Sequence, residues 1–158
     1  MKTIKSLLLA LSMSPMLATA AGMEGNHAHH DAAIKSAAGQ PGDPDKVTRT
    51  VNVAMRDTMR FTPEAIVVKA GETVRFVVRN LGKVDHEMII GTASELQAHA
   101  QMMRNMPADK HAGPNQVTLA PGQQGTLVWQ FARPETVDFA CLVPGHFEAG
   151  MVGKIVVR

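Results

Sequence analysis

The sequence predicts an all-β domain: a sandwich or barrel of about eight short antiparallel strands, with one short helix in an inter-strand insertion. Three observations carry that reading. From Val47 onward, apolar residues recur at every second position in run after run, the period at which strand side chains face opposite sides. Turn signals such as Ala70-Gly71, Asn80-Leu81-Gly82 and Pro121-Gly122 separate the runs. One interval, 93–106, lacks β-branched residues and is rich in helix formers.

Two segments precede the domain. Met1 to Lys5 is short and positive, 7–17 is mostly apolar, and Ala18-Thr19-Ala20 fits a small-residue cleavage site. This three-part layout predicts a secretory signal peptide over 1–20, too short in its apolar part to span a bilayer. Export would place the mature chain in an oxidising compartment. Residues 21–46 are small, polar and punctuated by Gly and Pro, which reads as a flexible leader without a core. Within it, His27, His29 and His30 form a tract that either binds Cu(II) or Zn(II) loosely or is a plain solvated tail. The domain proper spans 47–158.

In the first strand Val51, Val53 and Met55 alternate with Thr50, Asn52 and Ala54. Residues 65–69 form a second, and 73–79 a third with Val74, Phe76 and Val78 on one face. Residues 87–90 make a short fourth. The stretches 117–119, 126–131, 137–140 and 152–157 complete the set. In the helix, Ser94 is the expected N-cap, with Gln97 three residues on as in a capping box. Leu96, Ala100 and Met103 share a face, and 107–114 is expected to be loop.

Composition narrows the function. A chain of 158 residues with 45% apolar content has enough material for one core and is not a disordered chain. The net charge is +2, and loss of Lys2 and Lys5 with the signal peptide brings it to balance. That excludes a nucleic-acid binder working by charge. No apolar run after the signal peptide is long enough to cross a membrane, and a monomer is expected. With one cysteine, no internal disulfide forms. In an oxidising compartment that thiol pairs between chains, is buried, or is held by a metal.

The segment Cys141-Leu142-Val143-Pro144-Gly145-His146-Phe147-Glu148-Ala149-Gly150-Met151 carries the chemistry. A thiolate, an imidazole and a thioether lie at C-x4-H-x4-M between two predicted strands, and upstream Asp85-His86-Glu87 puts another imidazole where a strand begins. Two imidazoles, one thiolate and a weak axial thioether are the ligand set of a blue-copper electron-transfer site. The soft sulfurs favour Cu(I) and the imidazoles suit both oxidation states. Singly, a buried Cys, a hydrogen-bonded His and a core Met are each ordinary; the spacing and the flanking strands argue for them jointly.

These residues resemble the cupredoxins, the small Greek-key β-sandwich copper proteins that include plastocyanin, azurin and rusticyanin. The resemblance runs over residues 47–158. The C-x4-H-x4-M loop with Val143-Pro144-Gly145-His146 is similar to the rusticyanin-like branch. The run from Phe76 to Met88 resembles the periplasmic cupredoxins linked to copper tolerance. The resemblance implies a cupredoxin-like Greek-key sandwich and one type 1 copper ion per chain. It implies His86, Cys141 and His146 as equatorial ligands, Met151 as the axial one, and single-electron transfer to a redox partner protein. It also implies for Glu87 a hydrogen bond across to the cysteine loop. The Cys-to-His loop is longer than in plastocyanin, and 54 residues separate His86 from Cys141. The longer loop and a strong axial thioether leave a green centre open beside a blue one.

Other readings fare worse. A multicopper oxidase needs His-x-His pairs around its type 1 cysteine, whereas Ala140 and Leu142 flank Cys141. A Cys/His hydrolase needs an orienting partner and an oxyanion donor, and zinc gains little from thioether. No enzyme is expected. A copper scavenger or chaperone for copper resistance is the alternative to the electron carrier. Met102, Met103 and Met106 with His99 and His111 are either a weak Cu(I) patch or helix packing, and Met55 and Met59 are equally ambiguous.

Overall fold

The computed structural model describes residues 36–105 and 112–158. The segment expected to be a signal peptide and the histidine tract His27, His29 and His30 lie outside them, as do Met106 and His111.

Among the described residues, ten strands form two five-stranded sheets. The strands are β1 (Gln40–Pro41), β2 (Arg49–Arg56), β3 (Arg60–Thr62), β4 (Ala65–Val68), β5 (Thr73–Asn80) and β6 (His86–Gly91), followed by β7 (Gln116–Leu119), β8 (Gln124–Gln130), β9 (Glu135–Ala140) and β10 (Val152–Val157). One sheet runs β1-β8-β5-β2-β3, the other β4-β10-β9-β6-β7. This is the expected cupredoxin-like sandwich. The two strands beyond the expected eight have two and three residues, too short for alternation to register.

The expectation of wholly antiparallel strands is corrected. β2 pairs in parallel with β5 (Val51 opposite Phe76, Val53 opposite Val78), and β10 pairs in parallel with β4. Period-two alternation reports which face is buried, not which way the neighbouring strand runs. Between β2 and β5 the chain crosses to the other sheet through β4, and that excursion supplies the connection a parallel pair needs.

Alternation places the core between the sheets. Val74, Phe76 and Val78 of β5, Leu127 and Trp129 of β8, Val137 and Phe139 of β9, and Ile155 of β10 are all buried there. Phe61 meets Phe139 edge-on at 4.9 Å. Met55 lies in this core and Met59 packs against it, so both serve packing. The Trp129 indole N–H donates to the carbonyl of Ala38 at 2.9 Å. Ala38 is itself buried, so residues 38–41, which fall within the expected leader, pack on the domain.

Helix α1 (Ala93–Asn105) stands where the sequence expects it, but its cap is different. The Thr92 hydroxyl accepts from the amide of Glu95 (3.2 Å), and the Glu95 carboxylate accepts from the amide of Thr92 (2.8 Å). This is a reciprocal capping box two residues earlier than Ser94/Gln97, and Glu95 supplies the charge that favours a helix N-terminus. Leu96 and Ala100 are buried in a small cluster with Ile89, Ala140 and Leu142. The helix therefore rests against β6, β9 and the segment that follows Cys141.

Candidate metal centre

The C-terminal loop is built by its own backbone. The amide of His146 donates to the carbonyl of Val143 at 2.9 Å, with Pro144 and Gly145 between and Gly145 at φ 89°. That is a type II turn, which places Pro second and needs a left-handed residue third. Next, the amide of Met151 donates to His146 (3.0 Å) and that of Gly150 to Phe147 (2.9 Å), with Gly150 at φ 86°. This nested pair is a Schellman closure, which calls for glycine at that step. Finally, the amide of Cys141 donates to the carbonyl of Met151 at 3.1 Å, so both ends of the loop meet at its base. Arg60 of β3 adds an outside brace, donating to the carbonyls of Ala149 (3.2 Å) and Gly150 (3.3 Å). Arg104 of α1 pairs with Glu148.

His86 reaches the loop from the start of β6. Cys141 Sγ lies 3.9 Å from His86 Nδ1 and 3.3 Å from His146 Nδ1, and the two rings are 4.8 Å apart between centroids. The three ligating atoms all fall within 4.8 Å of one another, the one such group of His, Cys, Asp and Glu among the described residues. His86, Cys141 and Met151 are fully buried, while His146 keeps a partly exposed edge. Of the helix methionine patch, Met102, Met103 and His99 are half-buried on α1.

Glu87 locks the two halves together. Its amide donates to Cys141 Sγ at 3.4 Å, and its carboxylate accepts from the amide of Leu142 (3.0 Å) and the hydroxyl of Thr118 (3.2 Å). Three further residues escaped the sequence reading. Asp57 Oδ1 sits 3.1 Å from His86 Nε2. Asn80 donates to the carbonyls of Val84 and Leu119, and Arg60 braces the loop. Only Asn80 carried a signal, as part of a turn tripeptide.

Burial pushes the Cys141 thiol up to about 12, against the pull of hydrogen bonds from the Glu87 and Val143 amides. Burial also lowers His146, helped by the neighbouring His86, and desolvation raises Glu87. Asp57 is lowered, first by the hydrogen bond from the Lys83 amide. The Cys141 thiol, brought out of water, is thus protonated at pH 7 and must give up its proton to hold a soft metal. Bond lengths of about 2.0 Å to nitrogen and 2.3 Å to sulfur require S···N separations of roughly 3.7 Å in a trigonal set. The observed 3.9 and 3.3 Å lie on either side. The donors fit a copper ion.

Over residues 47–158 the chain matches the family described as copper binding proteins, plastocyanin/azurin family. It belongs to that family, whose members carry copper and are not enzymes, and copper is its cofactor. Within the family, the chain is 50% identical to the copper-resistant cuproprotein CopI of Rubrivivax gelatinosus, covering 94% of both chains. It is 41% identical to CopI of Vibrio cholerae, over 74% of this chain and 70% of that one. Among solved structures, reduced auracyanin from Roseiflexus castenholzii superposes with a TM-score of 0.60 at 22% identity, covering 71% of this chain and 98% of that one. Auracyanin B superposes with a TM-score of 0.63 at 22% identity, covering 76% and 96%. Both support the sandwich.

Proposed function

We propose that the chain is an exported, periplasmic type 1 copper protein that passes single electrons by Cu(I)/Cu(II) cycling and serves copper tolerance. His86, Cys141 and His146 are its equatorial ligands and Met151 the axial one. The observation that carries this reading is the convergence of two imidazole nitrogens and one thiol within 4.8 Å, all but one edge of them buried. Bound copper supplies a one-electron couple; the protein supplies a cage that changes little between its two states. The type II turn, the Schellman closure and the Cys141–Met151 hydrogen bond hold three of the four donors on one rigid loop. Glu87 ties that loop to the strand bearing the fourth.

His146 provides the route for electrons. Its ring is partly exposed, beside half-buried Val143 and Phe147 and exposed Pro144, and Leu81 and Val84 expose apolar surface on the loop leading to His86. An apolar rim of this kind lets a redox partner dock closely, and a monomer leaves it open. Export rests on the signal-peptide layout of 1–20. The copper-tolerance role is suggested by the name of the CopI relatives. That name equally favours a second reading, a copper scavenger in which electron transfer is incidental.

Titration of the purified chain with cupric salt tests the centre. One copper per chain and an intense visible charge-transfer band are expected, and Cys141→Ser should abolish the band and tight binding. A colourless product would overturn the assignment. Fast electron self-exchange at one copper per chain supports the carrier; several coppers with slow exchange support the scavenger.

A further inference from the structure

The two ring nitrogens of His86 face different groups. Nδ1 looks toward Cys141 Sγ, and Nε2 lies 3.1 Å from Oδ1 of Asp57. Asp57 follows β2 directly, and its carboxylate also accepts from the amide of Lys83 at 3.0 and 2.8 Å through its two oxygens. One carboxylate therefore joins the turn after β2, the loop before β6 and the buried imidazole. The loop is held from within by Asn80, fully buried, which donates to the carbonyls of Val84 (2.8 Å) and Leu119 (2.9 Å) and accepts from the amide of Gly82 (2.9 Å). Gly82 keeps the approach open, because a Cβ there would stand 2.0 Å from Asp57 Oδ1 and 3.1 Å from His86 Nε2.

We propose that Asp57 is a positioning residue of the copper centre. Its carboxylate accepts the Nε2 hydrogen of His86, turns the Nδ1 lone pair toward the metal, and favours Cu(II) over Cu(I) with its negative charge. A neutral imidazole has one donor and one acceptor nitrogen, so the partner of one decides the role of the other. His86 is out of reach of water, so the choice falls to Asp57. A fixed anion near the ion stabilises the more highly charged state. The carboxylate is 39% exposed, so water and salt weaken that preference without removing it.

This inference rests on His86 being a ligand, and the experiment separates the two. In the copper-loaded full chain, Asp57→Asn keeps the shape and removes the charge. The expected result is a retained charge-transfer band with a fivefold to tenfold shift in preference toward Cu(I). For a one-electron couple, tenfold is about 59 mV of higher reduction potential. Nitrogen-15 NMR of the Cu(I) form should show His86 protonated at Nε2 in the wild type, with that proton exchanging at least tenfold faster in Asp57→Ala. A wild type with the band, an unmoved potential in Asp57→Asn and unchanged exchange in Asp57→Ala would overturn the role of Asp57 alone. A wild type without the band would overturn the copper reading and this inference with it.

Discussion

The carboxylate of Glu87 accepts a hydrogen bond from the backbone amide of Leu142 at 3.0 Å, joining the residue after His86 to the residue after Cys141. The same residue's amide points at Cys141 Sγ. A single buried glutamate thus fixes the distance between β6 and the C-terminal loop, and with it the S···N geometry of the centre.

Glu87→Ala should leave the Leu142 amide and the Thr118 hydroxyl without this acceptor. Of these two donors the Leu142 amide is the buried one; a buried donor stripped of its partner costs about 1–3 kcal/mol, and urea denaturation of the copper-free chain should show a loss of that order. Glu87→Gln keeps an acceptor and should lose less. Because burial raises the folded-state pKa of Glu87, its protonated form is favoured by folding. The stabilisation from that shift is full below the ordinary value of 4.5 and is lost as pH rises through the folded-state value. The wild type should therefore lose ground to Glu87→Gln across that window.

Copper binding should release a proton. The Cys141 thiol is pushed up to about 12, so it is protonated in the copper-free chain at neutral pH. His146 is lowered by burial and contributes no proton there. Expulsion of the thiol proton by Cu(II) makes the apparent Kd fall about tenfold per pH unit. Calorimetry in buffers of different ionisation enthalpy should count close to one proton released per copper from Cys141 at pH 7.5.

Met151→Leu should keep the copper and raise the reduction potential, since a weak donor to Cu(II) is lost. The residue is fully buried and its backbone closes the loop through Cys141 and His146. An isosteric apolar replacement preserves that packing at small cost. Voltammetry reads the potential; a chain that loses copper instead would mean that Met151 matters for retention.

Thr92→Val tests the helix cap. It removes the hydroxyl that accepts from the Glu95 amide, and losses of this kind cost about 0.5–2 kcal/mol. Thermal or urea unfolding should register it. Because α1 packs on Leu142 and Ala140 beside the ligand loop, hydrogen exchange at the Leu142 amide should rise in parallel.

Local features were legible before any coordinates. The alternation of Val74, Phe76 and Val78, the Pro121-Gly122 turn and the C-x4-H-x4-M loop each depend on residues close in the chain, where spacing and side-chain type translate directly into face, turn and ligand set. The Thr92–Glu95 box was open to the same reasoning, and the choice of Ser94 missed it by placing the helix start too late.

What the sequence by itself determined was therefore the kinds of donor, their grouping on one loop, and the β character of the frame. The tertiary structure alone decided that β2 runs parallel to β5 and that Asp57 stands behind His86. The reason is physical. Alternation and turns are consequences of covalent neighbourhood, whereas strand direction and the approach of Asp57 follow from how two sheets bury their faces against each other, and such long-range packing leaves no periodic trace in the chain.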